Sequence, residues 1–376
     1  MSLLGCRPCL VAFGVALLLT PLVRWLCVRF GLFDSPGPLK IHQRPIPRLG
    51  GIAVTLGIAA GCISSTPLAL PTTASFLASL ALVWLTGLLD DLRGLSPVLR
   101  LIAQCVAALL LRQANPHVLA FGNSTLGAFA ICVIVIFFVN AFNFLDGSDG
   151  LVAGVTAAIA LVFVIARPPT AVHPSNIIAW SLLGAAPGFL VFNFPPAKIF
   201  MGDSGSTALG FCVAFLALEF SRTVRTSSSV ATAIISPFLV AGLPLLDAAL
   251  AILRRLRNSS SPFSGDRSHY YDLLLQRRWS VRRVALVSYA VTLALGAIGW
   301  IGQRLQPRNF AALAAISFAA LFATALRLGS LRREEGLKQS EVAQVSRTGA
   351  SQLQLTALDR DSAAAADEPI ETQIAT

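Results

Sequence analysis

Leu126-Gly-Ala-Phe-Ala-Ile-Cys-Val-Ile-Val-Ile-Phe-Phe-Val-Asn140-Ala-Phe-Asn143-Phe-Leu-Asp146-Gly-Ser-Asp149-Gly150 begins as an uncharged apolar run and ends in a polar turn. Such a run is long enough to cross most of a bilayer, where about 20 apolar residues span the hydrocarbon. Asn140, Asn143 and Asp146 then recur at a spacing of three, which places them on one side of a helix. Two carboxylates among glycines follow, which is the chemistry of a tight turn. A purely structural helix end needs one glycine and one capping group, so this density of polar residues points to a site.

The same alternation recurs along the chain. Hydrophobic residues make up 55% of the 376 and charged residues 12%, with a mean hydropathy of +0.72. That composition excludes an ordinary soluble domain. Apolar runs between polar breaks lie near 9–28, 49–66, 74–89, 97–112, 126–142, 150–167, 176–193, 204–220, 230–252, 284–303 and 309–327. The expected fold is an all-α polytopic membrane protein of about 11 transmembrane helices, with 10 as the alternative. The run at 9–23 resembles a signal peptide, but without a small-residue cleavage site it is expected to stay as a helix. Residues 1–327 are expected to form one transmembrane domain. Residues 328–376 carry eight of the 18 acidic residues and no apolar periodicity, and are expected to be a disordered cytoplasmic tail.

Basic residues orient the bundle, because Lys and Arg are retained on the cytoplasmic side. With the N-terminus outside and the C-terminus cytoplasmic, 22 of the 29 Lys and Arg residues fall inside, eight of them in the loop 254–283. The charge serves topology, and it also suits an anionic lipid head group or a nucleotide; no nucleic acid partner is expected. Seven cysteines lie mostly in apolar runs, where Cys acts as a small hydrophobe. Cys6 and Cys9 form a CxxC without the second pair that a metal site needs.

Ten acidic residues remain outside the tail, and five of them sit in three motifs. Carboxylates are costly near a bilayer, so their grouping suggests an active site. Asp90-Asp91 ends one apolar run and precedes a turn, Arg93-Gly94-Leu95-Ser96-Pro97. The pair can bind a divalent cation or activate an attacking group, or it can be a helix-end pair held by Arg93 or Arg100. Asn143, Asp146 and Asp149 can contact phosphate, ribose or a cation. The third motif, Asn193-Phe-Pro195-Pro196-Ala-Lys198-Ile-Phe-Met-Gly202-Asp203-Ser204-Gly205, places Lys198 and a carboxylate at a helix start, where Asp203 could also be a cap. Expected cytoplasmic placement of all three motifs puts them at one site.

Taken in order with Asp34-Ser-Pro36 and His42-Gln-Arg-Pro-Ile-Pro47-Arg48-Leu-Gly50-Gly51, these motifs resemble the polyprenyl-phosphate N-acetylhexosamine-1-phosphate transferase family over roughly residues 30–305. That group includes phospho-MurNAc-pentapeptide translocase and the initiating transferases of WecA and TagO type. The resemblance implies a phosphotransferase of the bacterial inner membrane, active at the cytoplasmic face and dependent on Mg²⁺, with Mn²⁺ as a substitute. A polyprenyl phosphate would attack the β-phosphorus of a UDP-N-acetylhexosamine and release UMP. It further implies Asp203 as metal ligand, Asp90 as candidate base with Asp91 beside it, and Asn143, Asp146, Asp149 and Asn193 in the nucleotide-sugar pocket. Arg100, Lys198 and Arg267 are the candidate phosphate-binding cations. A histidine motif of the form His-x-His-His is expected in the last cytoplasmic loop, but only His269 matches it. Tyr271 and Asp272 replace the other two histidines, which argues against the MurNAc-pentapeptide branch and favours GlcNAc-1-phosphate transfer. Partners are then the two substrates and membrane lipids, with a homodimer allowed. A membrane transporter and a non-catalytic lipid-binding scaffold are the readings of another class; transport would put charges near span midpoints rather than at their ends.

Overall fold

The computed structural model describes residues 3–37, 42–65, 71–114, 124–166, 173–225, 230–261 and 265–331. Among these, helices α1 (Leu3–Phe30), α2 (Gly51–Ser65), α3 (Pro71–Arg93), α4 (Pro97–Ala114), α5 (Thr125–Leu145), α6 (Leu151–Ile165) and α7 (Pro174–Asn193) form the first half. The second half comprises α8 (Gly202–Arg225), α9 (Val230–Val240), α10 (Gly242–Arg257), the short α11 (Tyr270–Gln276), α12 (Val281–Gly302) and α13 (Pro307–Leu328). One antiparallel ribbon pairs β1 (Phe33–Asp34) with β2 (Ile46–Pro47). Lys40 and the tail from residue 332 onward lie outside the described residues.

The protein is a polytopic helical membrane protein. Seven helices, α1, α3, α5, α7, α8, α12 and α13, are long and apolar enough to cross a membrane, and α9 with α10 make an eighth if that bent pair is one span. Helices α2 and α6 are apolar but 15 residues each, about 22 Å at 1.5 Å per residue. The run 230–252, read from sequence as one straight span, is instead two helices meeting at 83°. Pro244 stands in the first turn of α10, a position that needs no amide donor and where a new helix can start.

Helix α8 is the axis of the bundle. Every side chain from Ser204 to Phe220 is buried, with α2, α3, α5, α6, α7 and α9 around it. Small residues let those helices approach, as is usual where lipid offers no hydrophobic drive. A Cβ on Gly210 would lie 2.8 Å from Val139 Cα and 2.9 Å from the Phe138 carbonyl of α5. Outer helices expose apolar side chains, among them Leu18 and Trp25 on α1 and Ile316 and Phe322 on α13. Exposure of this kind costs little against lipid tails and would be severe in water.

Candidate active site

The three acidic motifs meet at one end of the bundle, where α3, α5 and α7 end and α8 begins. Helix α3 stops because Gly94 takes a left-handed conformation, φ +68°, with its N–H on the Asp90 carbonyl at 2.9 Å. The Asp90 side chain folds over that turn and accepts the Leu95 N–H at 2.6 Å. Ser96 caps the next helix through the Leu99 N–H. One turn into α4, Arg100 Nη1 donates to Asp90 Oδ2 at 2.6 Å and to Asp203 Oδ2 at 3.2 Å. Asn143 completes the group, its Nδ2 donating to Asp203 Oδ1 at 2.9 Å and to Ser206 Oγ at 3.2 Å.

Asp91 is placed differently from its neighbour. It is buried, and its two oxygens accept the backbone N–H groups of Asp203 at 2.9 Å and Ser204 at 3.0 Å. Both lone-pair faces are therefore committed to the first turn of α8, which lends it a carboxylate where the helix dipole is positive. Gly202, with φ +75°, is required beside it, because a Cβ there would stand 2.7 Å from Asp91 Oδ2. Gly87 brings α3 this close, with a Cβ site 2.6 Å from the Asp203 carbonyl oxygen.

Asp149 and Asn193 join loops. Asp149 Oδ2 accepts the Ala197 N–H at 2.9 Å. Asn193 is buried, accepting the Gly150 N–H at 3.0 Å and donating to the Ile199 carbonyl at 2.9 Å. The turn after α5 is thus tied to the Pro195–Phe200 segment. That segment is tied in turn to the start of α2, since Gly50 N–H reaches the Phe200 carbonyl at 2.9 Å and Gly51 N–H the Met201 carbonyl at 2.8 Å. His42 lies near, bonded to Asp34 at 2.9 Å and packed edge-on to Phe200.

Asp146 caps α5 through its N–H on the Asn143 carbonyl at 3.2 Å, and its carboxylate has no hydrogen-bond or ion-pair partner among the described residues. Burial pushes its carboxyl well above the usual carboxylate range, and the charges of Asp203, Asp91, Asp34 and Asp149 push it further. Among the described residues Arg100 is the one cation hydrogen-bonded to Asp90 and Asp203, while Asp91, Asp146 and Asp149 add further carboxyl groups around them. A hard cation with oxygen ligands would relieve the repulsion among these acids. No three of His, Cys, Asp or Glu form a complete protein cage among the described residues, which suits a cation that takes one or two carboxylates and completes its shell from phosphates and water.

Lys198, Arg267 and His269 are not hydrogen-bonded to this group. Lys198 is exposed, with its carbonyl accepting from Arg24 Nε at 3.2 Å. Arg267 faces Asp272 at 3.7 Å. His269 is buried, with Nδ1 2.6 Å from Asp247 Oδ2 and its ring stacked on Tyr271. Burial opposes its protonation, but the Asp247 and Asp266 carboxylates outweigh that and raise its pKa. His269 and Asp266 belong to a buried charge network. Arg254 makes paired bonds to Asp266 at 2.8 and 2.9 Å, Arg255 adds one at 3.1 Å, and these arginines hold Asp266 below the usual carboxylate range in spite of its burial. The network touches the site through Phe144, which lies under Arg255 at 4.6 Å and whose carbonyl accepts from the Tyr271 hydroxyl at 3.0 Å. Asp247 and Tyr271 were not among the expected site residues. An acid inside an apolar run, as Asp247 is, was the available signal.

Fold and site together define a membrane-embedded protein with an acid-rich cleft at one end of its helices. Residues 73–221 match glycosyl transferase family 4. The chain is 31% identical over 299 residues to the probable undecaprenyl-phosphate N-acetylglucosaminyl 1-phosphate transferase of Bacillus subtilis (strain 168), covering 75% of this chain and 81% of that one. It is 34% identical over 305 residues to the decaprenyl-phosphate N-acetylglucosaminephosphotransferase of Mycolicibacterium smegmatis, covering 71% and 74%. Identity to the undecaprenyl-phosphate alpha-N-acetylglucosaminyl 1-phosphate transferase of Yersinia pestis is 29% over 298 residues, covering 75% and 80%. The chain belongs to the polyprenyl-phosphate N-acetylhexosamine-1-phosphate transferase family.

Proposed function

We propose that this protein transfers GlcNAc-1-phosphate from UDP-GlcNAc to a polyprenyl phosphate at the cytoplasmic face of a bacterial inner membrane. The observation that carries this reading is the Arg100 guanidinium held between Asp90 and Asp203, with Asn143 on the other Asp203 oxygen. A fixed cation between two carboxylates at a helix start is a place for phosphates, and the relatives' names supply their chemistry. In the reaction an oxygen of the lipid phosphate forms a bond to the β-phosphorus of the nucleotide sugar. The bond from that phosphorus to the bridging oxygen breaks, and UMP leaves with the electron pair. In this reading Asp90 accepts a proton from the lipid phosphate, Arg100 binds a phosphate oxygen, and Asn143 orients Asp203. Asp203 and Asp146 would hold Mg²⁺, which supplies the positive charge that lets two anions approach. Asp91, Asp149 and Asn193 serve by fixing the segments that carry these groups.

The N-out, C-in arrangement of eleven spans accompanies this reading, since it gathers the acidic cleft and the basic loop 254–283 on the cytoplasmic side. The test is turnover by the purified full chain with Mg²⁺, undecaprenyl or decaprenyl phosphate, and a panel of UDP-GlcNAc, UDP-GalNAc and UDP-MurNAc-pentapeptide. UMP and lipid-linked GlcNAc-1-phosphate are expected from the first. No turnover with any UDP-N-acetylhexosamine would refute the assignment.

A further inference from the structure

A cavity with a volume of about 260 Å³ lies among α10, α11, α12 and α13, away from the acidic site. Its walls are apolar, with Leu243 and Leu250 on one side, Val287 and Val291 on another, and Leu321 and Ala325 on the third. None of Asp90, Asp146 and Asp203 lines it.

The few polar groups inside are already bonded. Asp247 accepts from the Tyr270 N–H at 2.9 Å and is paired with His269 at 2.6 Å. The Tyr270 hydroxyl meets Ser288 at 2.9 Å, Ser288 donates to the Val284 carbonyl at 2.7 Å, and Thr324 donates to the Ala320 carbonyl at 2.8 Å. Water entering such a space would find no free partners, so the chamber suits a hydrocarbon. Its length suits part of one acyl chain of a lipid. The lining runs from Leu243 to Leu250 on α10 and from Leu321 to Leu328 on α13, about 10 Å along each helix axis, or roughly a third of the hydrocarbon thickness.

The mouth of the chamber has the chemistry of a membrane interface. Trp279 stands there with the Arg283 guanidinium 3.9 Å above its ring, an arrangement typical of the headgroup level. Arg327 directly precedes the lining residue Leu328, and Arg277 Nη2 donates to the Arg327 carbonyl at 2.9 Å. Both side chains are exposed, and neither has a carboxylate partner among the described residues. Arginines beside an apolar slot, with the Arg283 guanidinium over the lining residue Trp279, match a phosphate above an acyl chain.

We propose that this chamber binds one bilayer phospholipid with an anionic headgroup, its acyl chain between α10, α12 and α13 and its phosphate at the arginines beside Trp279 and Leu328, which are Arg277, Arg283 and Arg327. The proposal is independent of the transferase reading. It also gives the chamber a structural consequence, because Asp247 and Tyr270 are at once its lining and the support of His269.

The test uses the full chain in phosphatidylcholine nanodiscs, titrated with dioleoyl phosphatidylglycerol and followed by thermal unfolding and by lipid retention in native mass spectrometry. One phosphatidylglycerol per chain is expected to be retained, with a rise in Tm that equal phosphatidylcholine does not produce. Ala325→Phe and Val291→Phe fill the slot from opposite walls, and at least one is expected to fold and to abolish retention. Arg277→Gln with Arg327→Gln is expected to weaken retention on the order of thirtyfold, at the usual worth of two arginines near an anionic surface. Equal stabilisation by both phospholipids would overturn the proposal and return the rim arginines to another partner, such as the acids of residues 332–376. Retention unchanged in both filled variants, or retention of undecaprenyl phosphate in preference to phosphatidylglycerol, would overturn it as well.

Discussion

Replacing Asp91 separates a structural acid from a reacting one. In Asp91→Ala the Asp203 and Ser204 amides lose the acceptors they now have at 2.9 and 3.0 Å, at a site where Asp91 is only 8% exposed. Loss of a helix cap costs about 0.5–2 kcal/mol, and a buried donor left without a partner about 1–3 kcal/mol. Because one helix start suffers both, the effects overlap, and a loss of about 2–4 kcal/mol is expected. Asp91→Asn should lose roughly half as much, since the amide keeps one acceptor but turns an NH₂ toward the second N–H. Activity should fall too, because Asp203 sits on the turn that Asp91 holds and a displacement near 1 Å can cost about a hundredfold. The assay pairs denaturant unfolding with turnover, beside Asp203→Asn as the variant that changes the cleft but not the cap. Turnover and stability should fall together for Asp91→Ala, whereas turnover should fall alone for Asp203→Asn. If Asp91→Ala unfolds at the wild-type midpoint while its turnover is abolished at every Mg²⁺ concentration, the cap reasoning is refuted and Asp91 acts on substrate.

Asp203→Asn removes one carboxylate from a site that gathers several acids, so stability in metal-free buffer should hold or rise while turnover falls by orders of magnitude; calorimetry and a Mg²⁺ titration check the two halves. Tyr271→Phe loses the hydroxyl bond to the Phe144 carbonyl, costing about 1–2 kcal/mol, and should raise KM for the nucleotide sugar more than it lowers kcat. Asp272 has its carboxyl pushed up to about 6 by burial, against the opposing pull of His269 and Arg267. A folded-state pKa above the unfolded value means the ionised acid is disfavoured in the folded protein, so stability should decline as pH rises from about 4 to 6. Asp272→Asn should remove that decline, gaining up to about 3 kcal/mol at pH 7 and nothing at pH 4 in unfolding experiments.

Periodicity made much of the fold legible, and chemistry made much of the site legible, for different reasons. Apolar runs bounded by charge mark helices almost regardless of packing, and each expected run contains a helix. The break between α9 and α10 was hidden because Ala241-Gly242-Leu243-Pro244 continues an apolar run, and only the backbone requirement of Pro244 betrays it. The convergence of Asp90, Asn143 and Asp203 was readable because each sits at a helix end, where a carboxylate in a membrane protein has few reasons to be. The division of labour within Asp90-Asp91 was not readable from the dipeptide. Adjacent helical residues point about 100° apart, so one carboxylate faces Arg100 and the other the start of α8. Which one does which depends on where α8 arrives, and that is set by Gly87, Gly202 and the contact of Gly51 with Gly205 across three helices. A Cβ on Gly205 would lie 2.7 Å from Gly51 Cα, so these glycines fix, through close approach, which acid is left to face Arg100.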